Sequence, residues 1–239
     1  MKDTDYILDK INRIPKGYVF TYKDFIDEVD LSFEAIVKFL NRLAQSNKIN
    51  KLSKGKYYKP EETIFGVINP SPKQVVKDLL VEDGKLIGYL TGISVFSELG
   101  LTTQIGFEIQ IGRNFPKAAI ERKPYRIGFI VQKNIITADN IEYLQLLDAL
   151  KLIKKIPDAT IVNSSKIIQK KLLKYTDKQL GYIQKLALKY PANTRALLGC
   201  LLENYTEVSP LKKSLNPATK YQFNGISEEF PNAKNWNIQ

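Results

Sequence analysis

Apolar residues recur at helical spacing through the first part of the chain and then give way to alternation. Ile7, Leu8, Ile11 and Ile14 share one face of a helix predicted over residues 4–13, which Pro15-Lys16-Gly17 stops. Tyr18-Val19-Phe20 is short and apolar and predicts a brief strand. Thr21, with Asp24 three residues on, has capping-box spacing, so a second helix is expected there with Phe25, Ile26 and Val29 inside. Asp30 or Ser32 caps a third helix, in which Ile36, Phe39, Leu40 and Leu43 form the buried stripe. Phe33, Glu34, Val37, Lys38, Asn41, Arg42 and Gln45 are left on its outer side. Ile49 and Leu52 then alternate with polar residues, and Ser53-Lys54-Gly55-Lys56 reads as a turn. Tyr57-Tyr58 begins a return strand, with one ring expected inside and one outside.

Beyond Pro60, residues 61–70 read as a connector, and Ser71-Pro72 starts a helix that runs to about Leu80. A short helix is expected over residues 92–99. Residues 107–112 and 126–132, FEIQIG and RIGFIVQ, are the strand candidates, expected to pair antiparallel across a Pro-containing basic loop. From Asp139 the pattern turns helical: Ile141, Leu144, Leu147, Leu150 and Ile153 mark a long helix ended before Pro157. Further helices follow near residues 165–175, 177–190 and 191–205. The stretch 206–239 is rich in Pro, Asn and Ser yet holds Tyr221, Phe223, Phe230 and Trp236, so a tail laid over the domain is expected.

Helix, strand, helix, helix, hairpin is the order of a winged helix-turn-helix. The predicted class is therefore α+β. A winged helix-turn-helix occupies residues 1–60, a connector 61–70, and a mixed domain 71–239, with a small antiparallel sheet and a helix-rich C-terminal half.

Charge sharpens this picture. The chain carries a net +11 with a sequence pI near 9.4, which favours an acidic partner such as nucleic acid. The excess is not spread evenly. Residues 32–60 hold Lys38, Arg42, Lys48, Lys51, Lys54, Lys56 and Lys59 against the single acid Glu34, whereas the thirty-one residues before them are net acidic. The positive charge thus falls where a winged helix places its recognition helix and wing, an arrangement suited to a phosphate backbone.

The residue inventory narrows the chemistry. There is no histidine, which removes Ser-His-Asp and Cys-His catalysis and most zinc sites but not carboxylate–magnesium chemistry. The one cysteine, Cys200, sits in an apolar run and reads as a buried inert thiol. No cofactor is expected. No signal-peptide core and no membrane-length apolar run are present, so the expected location is a reducing cytoplasm, with no membrane partner. Gly88–Gly92 and Gly100–Gly106 lack both the Walker and the G-x-G-x-x-G spacing and read as tight turns. The best residual enzymatic case is a metal nuclease built on Glu108, but Gln110 stands where such sites want a charged partner.

Several phrases carry a resemblance. They are Gly17-Tyr18-Val19-Phe20-Thr21, Gly88-Tyr89-Leu90-Thr91-Gly92, Leu99-Gly100-Leu101-Thr102-Thr103-Gln104, the run from Tyr190-Pro191-Ala192-Asn193 through Thr194-Arg195-Ala196 to Leu197-Leu198-Gly199, and the ending Asn235-Trp236-Asn237-Ile238. In this order they resemble the AbiEi-like antitoxins of bacterial type IV toxin–antitoxin (abortive-infection) systems, over nearly the whole chain. The resemblance implies an N-terminal winged helix that binds double-stranded operator DNA and represses its own operon. It also implies a C-terminal domain that counteracts a nucleotidyltransferase-like toxin. The family's recognition helix maps onto residues 32–47, with Arg42 in Leu40-Asn41-Arg42-Leu43, and its wing onto residues 48–59. Asn47-Lys48 stands where relatives often have a glycine.

The candidate DNA-binding residues are Ser32, Lys38, Asn41, Arg42, Lys48, Lys54, Lys56 and Tyr57. Lys38, Lys54 and Lys56 suit phosphates, and Asn41 and Arg42 have the chemistry to read adenine and guanine edges. The chain is expected to be a monomer in solution or a dimer on DNA. A second basic surface is expected at Lys166, Lys170, Lys171 and Lys174, with Arg195; RNA, an acidic toxin or extended DNA would suit it. The plain alternative for those lysines is a solubilising helix face. The competing functional classes are a nucleic-acid-processing enzyme and a non-catalytic protein-interaction module.

Overall fold

The structure, a computed structural model, describes residues 3–64, 66–104 and 106–239. Phe65 of the expected connector and Ile105 of the glycine- and threonine-rich run lie outside the described residues. The architecture is mixed α+β, helices with several small sheets. The chain divides into two compact units, one of Met1–Asp78 with Ile120–Arg126, the other of Leu79–Ala119 with Ile127–Gln239. The first unit thus reaches past the expected boundary at residue 60 and takes in a distant segment.

In the first unit, α1 (Asp3–Arg13) has Asp3 and Asp5 in its first turn and Lys10 and Arg13 in its last, complementing the helix dipole. Ile7 and Ile11 bury its inner face. Strand β1 (Val19–Phe20) follows. The expected second helix is instead a pair of 3-10 turns, Tyr22–Asp24 and Ile26–Glu28. The capping box does form, with Thr21 N–H donating to Asp24 Oδ2 at 2.7 Å. The segment nevertheless stops after one turn, because Phe25 leaves helical geometry at φ −128° and buries its ring edge-on to Phe20, 5.8 Å away.

Helix α2 (Phe33–Gln45) starts at Ser32, whose hydroxyl accepts from Ala35 N–H at 3.3 Å. It ends in a Schellman arrangement: Lys48 N–H reaches Leu43 O at 3.0 Å and Asn47 N–H reaches Ala44 O at 3.2 Å. Asn47 takes the left-handed φ of +57° that this cap needs, which asparagine tolerates better than other side chains. So the missing glycine is replaced in kind.

The hairpin β2 (Asn50–Ser53) and β3 (Lys56–Tyr58) turns at Lys54-Gly55, with Gly55 at φ +71°. With β1 it forms a three-stranded sheet in the order β1-β3-β2, Phe20 opposite Tyr57 and Val19 opposite Tyr58. Ile7, Ile11, Phe20, Phe25, Ile36, Leu40, Leu43, Ile49 and Tyr57 make one buried cluster. The expected connector holds a second hairpin, β4 (Glu61–Thr63) with β5 (Gly66–Ile68), leaving Ile64, Val67 and Ile68 exposed. Helix α3 (Pro72–Leu80) begins as expected, with Gln74 N–H on Ser71 Oγ at 3.4 Å.

In the second unit, β6 (Val81–Glu82) and β7 (Lys85–Leu86) flank Asp83-Gly84, both at positive φ as a two-residue hairpin requires. Strand β8 (Tyr89–Thr91), helix α4 (Ile93–Glu98) and strand β9 (Glu108–Arg113) follow, and β8 pairs antiparallel with β9. Strand β10 (Ile120–Arg122) and the first residues of β11 (Tyr125–Val131) belong to the first unit. The rest of β11 neighbours β9, so the two expected strands share a sheet.

Helices α5 (Ile141–Lys151), α6 (Ile161–Leu172), α7 (Asp177–Ala187) and α8 (Ala192–Leu202) form the helical half, followed by the short α9 (Ser209–Lys213) and α10 (Ile226–Glu229). Helix α8 is apolar nearly all round and is buried over most of its length. The C-terminal stretch is core rather than cover: Phe223, Ile226, Trp236 and Ile238 are all buried against the helices. Trp236 donates its indole N–H to Glu203 Oε2 at 3.0 Å. Cys200 is buried as expected, and burial pushes its thiol up to about 12.

Candidate functional site

The outer face of α2, the turn after it and the β2–β3 turn carry a run of exposed cations. Phe33, Glu34, Val37, Lys38, Asn41, Arg42 and Gln45 line a shallow open groove of about 490 Å³. Lys38, Arg42, Lys48 and Lys54 are exposed, and none of them is in an ion pair among the described residues. Arg42 places its guanidinium 5.9 Å from the Phe39 ring, which supports the side chain while leaving its N–H groups outward.

Asn41 is more constrained. Its Oδ1 accepts from Tyr57 Oη–H at 2.9 Å and from Lys51 Nζ at 3.4 Å, so only its amide N–H₂ is left to offer. That pair of bonds ties the middle of α2 to both strands of the hairpin.

Two expected contacts are corrected. Tyr57 is 1% exposed, stacked at 6.4 Å on Phe20, and its hydroxyl is spent on Asn41; burial raises its pKa and keeps it neutral. It cannot touch a backbone outside. Tyr58 is buried as well, so the inside–outside alternation fails. The reason is that β3 is the central strand of its sheet and both of its faces are covered. Lys56, the second case, is half-buried and pairs with Asp78 at 3.2 Å. Asp78 in turn takes a two-pronged pair of bonds from Arg122, at 2.6 and 2.7 Å. Burial alone would push the Asp78 carboxyl up, but Arg122 and Lys56 outweigh it and hold it below the usual range. Lys56 therefore anchors the hairpin to α3. Ser32 serves as the cap of α2, and Lys59 is engaged through Nζ with Asn12 O at 2.6 Å. Sequence reasoning missed Asp78 and Arg122, which lie far from residues 32–60 and carry no motif.

The second basic surface is less uniform than the sequence implied. Lys166 pairs with Glu229 at 2.8 Å. Lys171 and Lys174 line a recess that also holds Glu142 and Tyr175. Lys170 is exposed. Arg195 is half-buried, and its Nε has no partner among the described residues. Leu173, at the C-terminal cap of α6, is 40% exposed.

Glu108 is exposed beside Gln110, whose Nε2 lies 3.5 Å from its Oε1. Among the described residues no group of three His, Cys, Asp or Glu side chains is placed to hold a metal ion. Gly92 sits at φ +74° against the Gln110 side chain and Gly88 against Ile111, so both serve close packing in turns. No helix among the described residues is long and apolar enough to cross a membrane.

These features define an α+β chain with a basic helix-and-hairpin face on a small three-stranded unit. The chain belongs to a family of unknown function (DUF6088), whose profile matches residues 6–180. Among solved structures it is similar in fold to the RV2827C protein from Mycobacterium tuberculosis. That crystal structure aligns with a TM-score of 0.60 at 11% identity, covering 92% of this chain and 84% of the other. No curated protein matches the chain.

Proposed function

We propose that the first unit is a winged helix-turn-helix and that the chain is a DNA-binding repressor which also acts as the antitoxin of a type IV toxin–antitoxin system. On this reading α2 is the recognition helix, the β2–β3 hairpin is the wing, and 3-10 turns take the place of the middle helix. The observation that carries it is the group Lys38, Arg42, Lys48 and Lys54: four exposed cations on one helix, the turn after it and the hairpin that follows, none of them neutralised by an ion pair among the described residues. Lys38, Lys48 and Lys54 would neutralise phosphates, which sets affinity and register. Arg42, with the amide of Asn41, would approach base edges.

The antitoxin half of the reading rests on the sequence resemblance and assigns that activity to the residues after Pro60, without catalysis and without a cofactor. The expected location is the cytoplasm, and the partners are operator duplex and a nucleotidyltransferase-like toxin. A gel-shift titration tests the first half, using duplex from the region upstream of the chain's own gene. The wild type should shift it, and Arg42→Glu/Lys54→Glu should not. Equal shifts by both would remove the DNA reading. Co-expression with the product of an adjacent nucleotidyltransferase-like gene tests the second half. Growth should be restored equally by the wild type and by the charge-reversed variant; failure of both to restore it would remove the antitoxin role.

A further inference from the structure

We propose that a cavity in the second unit, walled by Lys133, Lys151 and Lys189, binds a small polyphosphate anion, either as the tail of a nucleotide or as inorganic polyphosphate. The cavity encloses about 320 Å³, within the range of small-ligand pockets. Its three lysines come from three separate places: the loop after β11, the last turn of α5 and the segment between α7 and α8. Lys189 Nζ donates to Lys133 O at 3.4 Å, which brings the Lys189 ammonium to the Lys133 backbone. None of the three is in an ion pair among the described residues. Three like charges around one recess repel each other, and a multivalent anion offsets that repulsion more fully than a single carboxylate does.

Asp148, an acid in contact with the cavity lining, is felt electrostatically by Lys151 but is not in an ion pair with it. Bonded to the lining residue Tyr190, the Asp148 carboxyl is 1% exposed, and burial pushes its pKa up. Its two oxygens already accept from Tyr89 Oη at 2.7 Å, Thr91 Oγ1 at 2.9 Å and Tyr190 Oη at 2.9 Å. Gln132, which with Tyr190 lines the cavity, is equally committed. Its Nε2 donates to Tyr89 and Tyr190 at 2.8 Å each, and its Oε1 accepts from Asn134 N–H at 2.8 Å. The polar side chains of Gln132 and Tyr190 are therefore committed to a fixed network, and the wall is cationic with no ion pair among the described residues. A concave recess of this size admits a chain of phosphates. It does not admit the backbone of a duplex, which separates this site from the basic face of α2.

The proposal rests on this cavity alone and stands or falls independently of DNA binding. Isothermal titration of the full chain with sodium tripolyphosphate and with ATP, at about 100 mM salt, tests it. Both probes should bind saturably at one site. Lys133→Gln/Lys189→Gln should weaken them by roughly tenfold or more, while Lys166→Gln/Lys170→Gln should leave them unchanged. Equal affinity for the two probes identifies the phosphates as the recognised group, and tighter ATP binding extends the site to the nucleoside. The first double variant must melt at the wild-type temperature and shift operator duplex as the wild type does. Absence of saturable binding to either probe overturns the proposal. So do equal losses in the two double variants, or lysine-dependent binding of single-stranded RNA without binding of the small probes.

Discussion

The Tyr57 hydroxyl donates to Asn41 Oδ1 across 2.9 Å, joining the hairpin to the exposed helix from beneath. This bond holds Asn41 Oδ1 and leaves its amide N–H₂ free, so the hairpin restrains the rotamer of a residue that the proposed function assigns to base contact. Tyr57→Phe keeps the buried ring and removes the bond. A loss of about 1 kcal/mol in urea unfolding is expected, with lower selectivity for operator over unrelated duplex. Unchanged selectivity would mean that Asn41 needs no such support.

Asp78 links this geometry to pH and to charge. Its carboxyl is held low in the folded state, so the stability it contributes is present above the ordinary carboxylate range and is lost as pH falls through the folded value. Asp78→Asn should therefore be less stable than the wild type at neutral pH, and the two melting curves should converge in acid. The same change releases Lys56 from its pair, so the salt dependence of DNA binding should steepen by roughly 0.9 per bound chain. A shallower slope would show that Lys56 remains held by other means.

Gly199 faces the indole of Trp236 with no room for a β-carbon, which would lie 2.1 Å from Cζ3. Gly199→Ala must displace the ring and should cost about 1–3 kcal/mol, and Trp236→Ala about 3–5 kcal/mol. Because alanine at 199 would fit once the indole is gone, the double variant should cost less than the sum of the two. Strict additivity in a double-mutant cycle would contradict the close packing.

Glu203 offers a second titration, read by the chain's single tryptophan. Burial pushes its carboxyl up, but bonds from Asn232, Trp236 and Asn235 outweigh this and hold it low. The sign is that of a depressed acid: the contribution is full above the usual glutamate range and is lost as pH falls. Trp236 emission should therefore shift red in acid before global unfolding, and Glu203→Gln should abolish that step. Persistence of the step in the variant would assign it to another group.

How much of this was legible in the sequence depends on the range of the interactions. The local signals are largely realised: the α2 stripe buries Ile36, Leu40 and Leu43 and half-buries Phe39, Ser32 rather than Asp30 is the cap, the Ser53–Lys56 turn forms at Lys54-Gly55, and Ser71-Pro72 starts its helix. The second helix was misread because its capping box is real but the burial of Phe25 ends the helix after one turn. The placing of Tyr57 and Tyr58 was misread because alternation predicts two faces but not whether both are covered. Asp78, Arg122 and the three cavity lysines were invisible, since only tertiary folding brings them together. The tail was half-read: its aromatics pointed to docking, but not to a place inside the core.

The most direct test of the DNA-binding account is fluorescence anisotropy on upstream duplex over a range of salt. With three phosphate contacts in each half of a dimer, at Lys38, Lys48 and Lys54, the slope of log K against log salt should be roughly −5. Lys48→Gln/Lys54→Gln should flatten it to about −2. A slope that is the same in both proteins would contradict the assignment of the β2–β3 hairpin as a DNA-binding wing.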